Sequence, residues 1–325
     1  MIKVSVIVPV YNTSKYLVRC MEALVNQTLE EIEILAVNDG STDNSLEILK
    51  KYEAQYPQKV RVLSKENGGQ ATARNLGIRE SRGEYIGFAD SDDCVERTIF
   101  EKMYLLAKKD DSDLTECHYH YVQEIGDKTK ELKTRGNIRA YGSKKNMFID
   151  PQVSPWNKLY RRTVLQENGI VFPEGLIYED TAFYIKTIPF VEKESYLDEH
   201  LVYYYLRGNS TMNANKSRKV ADIFAVLQDI LDFYRERGFF EEYREELEYF
   251  CVKIMLCSSL SRVGRVTDRA LKKELLDKTF RFVRENFPEY HANKYFTGKI
   301  GYYIRFVNRR NSNWISTVLG KVMKG

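Results

Sequence analysis

Asp90, Asp92 and Asp93 put three carboxylates within four residues, directly after the apolar run Tyr85-Ile86-Gly87-Phe88. Three acids at a strand end repel one another, and the arrangement makes sense if a cation, or a ligand bridged by one, sits there. Asp90 and Asp92 are two apart, so in extended backbone they point the same way. Two oxygen ligands on one side, with open positions on the other, suit Mg²⁺ or Mn²⁺ shared with a diphosphate. The competing reading is a solvated turn whose aspartates cap a helix beginning at Val95-Glu96. A second acidic pair, Glu179-Asp180, can take a proton in general base catalysis or can simply open a helix, as Asp180-Thr181 would.

The elements that must position these groups alternate over the first hundred residues. Strands are expected at 4–8, 33–37, 60–63 and 84–89. Helices are expected at about 15–26, 43–56, 69–80 and 96–108. That rhythm predicts an α/β fold with a mostly parallel twisted sheet and helices on both faces. Ligands of such sheets bind beyond the carboxyl ends of the strands. The polar segments Tyr11-Asn12, Asn38 to Ser41, Lys65 to Gly69 and Asp90 to Asp93 all fall there. Helix N-termini facing that crevice favour an anion.

From 110 to 150 the pattern loosens. A strand is expected at 113–122 and a charged loop or hairpin at 126–142. A return strand or helix start follows at 155–160, then a helix at 181–191 and a strand around Tyr203-Tyr204-Tyr205. Residues 1–215 read as one domain and 216–325 as a helical, basic C-terminal region. There Ile223, Val226, Leu227, Ile230, Leu231 and Tyr234 recur at helical spacing.

The 325 residues carry a net charge of +4. Residues 1–215 hold 28 Lys+Arg against 32 Asp+Glu, and residues 216–325 hold 22 against 14. No acid follows Glu289. Ile300, Tyr303, Ile304 and Val307 form an apolar stripe among basic residues, with Trp314-Ile315 and Val318-Leu319 continuing it. Such a helix can lie on an anionic membrane surface, or it can dock on its own protein or in a dimer interface, which leaves a homo-oligomer open. No nucleic-acid-binding motif accompanies the charge, so nucleic acid is not an expected partner. The five scattered cysteines include no CxxC pair and read as reduced thiols. No basic-then-apolar leader precedes the first strand and no run of 18 apolar residues occurs. The expected location is cytoplasmic, peripheral at the inner face of the plasma membrane. The four histidines show no metal-ligand spacing and read as surface or packing residues.

The ordered set VSVIVPVYN, VNDGSTDNS, NGGQATARNLGI, FADSDD, WNKLYRR and YEDTAF resembles the family-2 inverting glycosyltransferases of GT-A fold, over about residues 1–210. The last two segments are similar to the branch that builds bacterial surface polysaccharides and wall glycopolymers. The resemblance implies a UDP-sugar donor, Mn²⁺ or Mg²⁺, and a hydroxyl of a glycan or lipid-linked glycan as acceptor. It implies Asp180 as the base with Glu179 beside it at the acceptor. It implies Asp92 as direct metal ligand and Asp90 at the ribose or metal, next to Ser91. Asp93 stays between metal support and helix cap.

Asp39 can accept a bond from a nucleobase imide, uracil by the resemblance, or form an Asx turn with Ser41. Pro9 pre-sets the strand end or terminates it, and Tyr11 can stack on a base or hydrogen-bond it. Gly68 with Gly69 permits close approach of a ligand, or is only a turn. Arg74 can face the donor or pair with Asp90. Trp156 is a sugar platform or a core residue. Arg207 and Ser210 can reach the diphosphate, or belong to an ordinary loop. A non-catalytic partner of another transferase is the alternative function. A dinucleotide oxidoreductase would need GxGxxG where Val8-Pro9-Val10-Tyr11-Asn12 stands.

Overall fold

The computed structural model describes residues 1–125, 128–132, 141–206 and 218–322. Two compact units emerge. The first comprises Met1–Lys144, Gln152–Gly175 and Glu179–Arg207; the second comprises Lys145–Pro151, Leu176–Tyr178 and Gly208–Gly325.

Among the described residues, the first unit is built on nine strands. They are β1 (Val4–Val10), β2 (Ile32–Asp39), β3 (Val60–Lys65), β4 (Tyr85–Phe88), β5 (Cys94–Val95), β6 (Leu114–Ile125), β7 (Lys128–Leu132), β8 (Lys158–Arg161) and β9 (Glu194–Leu206). The sheet order is β3-β2-β1-β4-β8-β6-β9-β5, with β7 paired to β6. β1 and β2 are buried along their whole length, as central parallel strands must be. Helices α1 (Ser14–Val25), α2 (Ser45–Gln55), α3 (Gln70–Glu80) and α4 (Ile99–Asp110) connect the early strands; α5 (Arg162–Gln166) and α6 (Glu179–Thr187) follow β8. α1 turns Leu17, Cys20, Met21, Leu24 and Val25 inward, the three-and-four spacing of one helical face. α3 lies close on β1 because residue 77 is glycine: a Cβ there would sit 2.4 Å from Ile7 Cγ2.

The expected parallel sheet is β3-β2-β1-β4. Beyond β4 the sheet turns mixed. β8 runs antiparallel to both β4 and β6, β6 runs parallel to β9, and β5 runs antiparallel to β9. Segment 155–160 combines both of its expected forms, a 3₁₀ turn at Pro155–Asn157 and then β8. Of the segment 126–142, expected as a charged loop or hairpin, 128–132 forms β7, which pairs antiparallel with β6 from Tyr121↔Leu132 to Ile125↔Lys128, while 126–127 and 133–140 lie outside the described residues.

The fourth expected helix forms as α4, but not from its expected start. No helix starts at Val95-Glu96; Cys94-Val95 pairs with Val202-Tyr203 instead, and α4 begins at Ile99 behind Thr98. Asp93 therefore caps no helix. Pro9 does not end its strand either, since β1 continues to Val10 with Pro9 paired to Val37. His118, His120 and His200 pack on one another across β6 and β9, with ring centroids 4.5 and 4.8 Å apart.

The second unit is helical: α7 (Asp222–Glu236), α8 (Arg244–Lys253), α9 (Leu260–Val263), α10 (Arg269–Asn286), α11 (Gly298–Phe306) and α12 (Ser312–Val322), with a π-helical turn Ile254–Ser259 joining α8 to α9. α7 buries all six periodic residues named from the sequence. Phe148, supplied by the early segment of this unit, is buried 6.1 Å from the Tyr234 ring and 5.6 Å from the Tyr243 ring. Asp268 caps α10 by accepting from the Ala270 and Leu271 amides.

Of the two settings open to the apolar stripe of α11, docking on its own protein is the one seen for Ile304 and Val307. Ile304 and Val307 are buried, and the Tyr303 hydroxyl donates to the Leu256 carbonyl at 2.6 Å. Among the described residues, no helix is long and apolar enough to cross a membrane.

Candidate active site

The loops at the carboxyl ends of β1 to β4 are tied together before any ligand is considered. Asn12, held at φ 52°, accepts the Thr42 amide on Oδ1 at 2.8 Å, and exposed Tyr11 precedes it. Asp39 ends β2 and is buried. Its Oδ1 accepts from the Lys65 ammonium and the Gly68 amide, and its Oδ2 from the Gly69 amide at 2.8 Å and from Asn67 Nδ2 at 3.2 Å. A carboxylate offers about four acceptor sites, so Asp39 is the keystone of the β3–α3 loop. An imide N–H reaches it only if one of these donors gives way. Gly69 sits at φ 92°, open to glycine at little cost, and launches α3. Gly68 is a close approach within the protein: a Cβ there would lie 2.8 Å from Thr72 Oγ1.

α3 then presents Arg74, which is buried, to three carboxylates. Nη1 donates to Asp180 Oδ1 at 2.6 Å and to Glu179 Oε1 at 3.3 Å; Nη2 donates to Asp90 Oδ1 at 2.9 Å. Of the two roles open to Arg74, the pairing with Asp90 is the one seen, and it extends to the acids at the start of α6. Desolvation weakens the guanidinium, but the three carboxylates outweigh it and hold it charged. Burial pushes the Asp180 carboxyl up to about 7; Arg74 opposes that, while Glu179 and Asp90 add to it. The Asp180 side chain still shows 28% of its surface to solvent. The neighbouring Asn75 exchanges two bonds with Phe172, its Nδ2 donating to the carbonyl at 2.9 Å and its Oδ1 accepting the amide at 2.8 Å. Asn75 thereby fixes the chain that leads toward Glu179 and Asp180.

In the acidic loop, carboxylate oxygens of Asp90, Asp92 and Asp93 all lie within 4.8 Å of one another. That spacing fits a hard divalent cation with positions left for phosphate oxygens. Ser91 is buried and its Oγ accepts from Thr13 Oγ1 at 3.0 Å. Asp93 is turned inward, where its Oδ1 accepts the Tyr205 amide at 2.8 Å. Burial, and then Asp90, push its carboxyl well above the usual range. Asp93 thus ties the loop to β9, the same pairing that draws Cys94-Val95 into the sheet.

Sequence reasoning missed Arg19. From α1 its Nη2 donates to the Asp92 carbonyl at 2.8 Å, and its guanidinium lies 3.4 Å from the Tyr205 ring centroid. No motif surrounds Arg19, so no signal marked it. Asn75 stands beside Arg74 in NGGQATARNLGI, and its place there was the signal that could have found it.

Trp156 is 7% exposed, stacked on Tyr204 at 5.5 Å and edge-to-face with Tyr119 at 4.7 Å. The core alternative is the one seen for Trp156, and half-buried Tyr121 and Tyr204 are the more open rings of this cluster. Arg207 and Ser210 lie outside the described residues.

The sequence model described as Glycosyl transferase family 2 matches residues 5–169. The uncharacterized glycosyltransferase YibD of Escherichia coli (strain K12) is 31% identical over 270 residues, covering 78% of each chain. TarS of Staphylococcus aureus is named a poly(ribitol-phosphate) beta-N-acetylglucosaminyltransferase. Its residues 1–349, solved in complex with UDP-GlcNAc, superpose with a TM-score of 0.74 at 21% identity, covering 98% of this chain and 90% of that one. The mannosyltransferase PcManGT of Pyrobaculum calidifontis, solved with GDP-Man and Mn²⁺, gives a TM-score of 0.56 at 13% identity, covering 97% and 87%. With strand-end acids gathered at one sheet edge and these matches in sequence and fold, the chain belongs to glycosyl transferase family 2 and carries the GT-A fold.

Proposed function

We propose that the protein is a divalent-cation-dependent inverting transferase that moves a sugar from a UDP-sugar to a hydroxyl of a glycan or lipid-linked glycan in bacterial surface-polysaccharide assembly. The observation that carries this reading is the Arg74 bridge, which holds Asp180 beside Asp90 at the edge where donors bind in such sheets. TarS, solved with UDP-GlcNAc, supports a UDP-sugar, and PcManGT, solved with Mn²⁺, supports the cation.

In this reading Pro9, Tyr11 and Asp39 frame the nucleobase, Gly68 and Ser91 border the ribose and diphosphate, and Glu179 orients the acceptor. Asp92 and Asp90 would hold Mn²⁺ or Mg²⁺, which when bound would neutralise charge gathering on the departing diphosphate. The acceptor oxygen bonds to the anomeric carbon from the face opposite the diphosphate as the carbon–phosphate-oxygen bond breaks. The hydroxyl proton passes to Asp180, and the electron pair leaves with UDP. Arg74 keeps the base placed and partly ionised near neutral pH. The enzyme then works in the cytoplasm, where a lipid-linked acceptor would bring it to the inner membrane face.

A panel of nucleotide sugars incubated with purified protein, with Mn²⁺, Mg²⁺ or chelator, tests the reading by release of free nucleoside diphosphate. Turnover of at least one UDP-sugar, abolished by chelator and restored by metal, is expected. Undiminished transfer by Asp180→Asn would sink the assignment of the base. Asp92→Ala should weaken metal-dependent donor binding at least tenfold, read by calorimetry.

A further inference from the structure

α11 and α12 each carry two kinds of apolar residue, and only one kind is used by the fold. Ile304, Val307 and Ile315 are buried. The corner between the helices is fixed by the Asn311 side chain donating to the Phe306 carbonyl at 2.8 Å and by the Ser312 amide donating to the Asn308 carbonyl at 3.0 Å. The surplus residues stand out in solvent. Tyr302 is 75% exposed and Phe306 59%, one turn apart on α11; Trp314 is 64% exposed, with Val318 and Val322 following it at four-residue steps on α12. Four-residue spacing makes one stripe on each helix. Exposed Lys299, Arg305, Arg310 and Lys321 flank these stripes.

We infer that the exposed aromatic and basic stripes of α11 and α12 seat the protein on an anionic phospholipid surface. Three observations select that occupant. Phenylalanine and valine enter the acyl boundary while tyrosine and tryptophan settle at headgroup level. The cations reach phosphate oxygens on flexible stems. The helices, of 9 and 11 residues, are too short to span a bilayer and suit the interface instead. A second copy seated on the same stripes would bring these four cations against their own copies across a two-fold axis. The contact is independent of the transfer reaction, since it uses none of the residues placed at the active site.

Full-length protein is sedimented with vesicles of phosphatidylcholine alone and of phosphatidylcholine mixed with phosphatidylglycerol. Binding to the mixed vesicles alone is expected, with a blue shift of Trp314 emission and release by high salt. Arg305→Gln combined with Arg310→Gln should weaken binding on the order of twentyfold, taking about fivefold per cation. Phe306→Ser combined with Trp314→Ser should abolish it. Both variants should keep the parent melting temperature and the parent rate of donor hydrolysis, because all four side chains are surface groups. Absence of binding to mixed vesicles, or equal binding by both variants, overturns the inference. So does lipid-free self-association that the serine pair abolishes, which would make the face a protein interface. A protein that binds vesicles yet turns over no nucleotide sugar would refute the transfer reading and leave this one standing.

Discussion

Arg74 satisfies three carboxylates with one guanidinium, and both its removal and the neutralisation of Asp180 have signed consequences. Burial raises the Asp180 carboxyl to about 7, so the ionised form is unfavourable in the fold. That cost is absent below about pH 4, grows as pH rises toward about 7, and is complete above it. With chelator present, Asp180→Asn is expected to melt higher than the parent at about pH 8 and close to it at about pH 4, while transferring no sugar. Melting both proteins at the two pH values checks the sign. Arg74→Gln leaves the acids without their shared cation, and a loss of about 3 kcal/mol is expected from denaturant titration. In any active Arg74→Gln protein the acid limb of kcat/KM should move to higher pH, because the group that lowers the Asp180 pKa is gone. The acids were legible in the sequence because strand-end carboxylates repel unless something binds them. Arg74's partners were legible only in part. Pairing with Asp90 follows from neighbouring loops, whereas reaching Glu179 and Asp180 depends on Asn75 holding Phe172, a long-range contact with no local signature.

Among the elements, β1 to β4 and α1 to α3 emerge near their expected bounds, since apolar strand runs alternating with segments of helical length are a local signal. β5 escaped because two residues carry no periodicity, and its pairing follows from Asp93 accepting the Tyr205 amide. For α11 the sequence left lipid contact and docking both open because the helix is apolar on two faces, and spacing alone cannot rank a stripe that packs against one that stays wet. The contact of α3 with β1 gives a test at this scale. Gly77→Ala gains about 1 kcal/mol of helix propensity but drives a methyl into Ile7. Overpacking typically costs 1–3 kcal/mol, so a net lowering of melting temperature is expected, with the far-UV spectrum unchanged.

For the whole molecule, the charge balance was plain from the sequence, with 28 cations to 32 acids through residue 215 and 22 to 14 beyond. The membership of 145–151 in the helical unit was not, because Met147 and Phe148 are too few to announce a distant core. A chain cut after residue 215 should leave Phe148 without Tyr234 and Tyr243, and is expected to elute as aggregate in size exclusion where the full chain does not. The same arrangement bears on synthesis. Phe148 leaves the ribosome well before the helices that cover it, and at 5–20 residues per second the wait for Tyr234 and Tyr243 is on the order of ten seconds. During that interval a nascent chain displays Met147 and Phe148 bare, which makes this short segment the natural place for a chaperone to hold on.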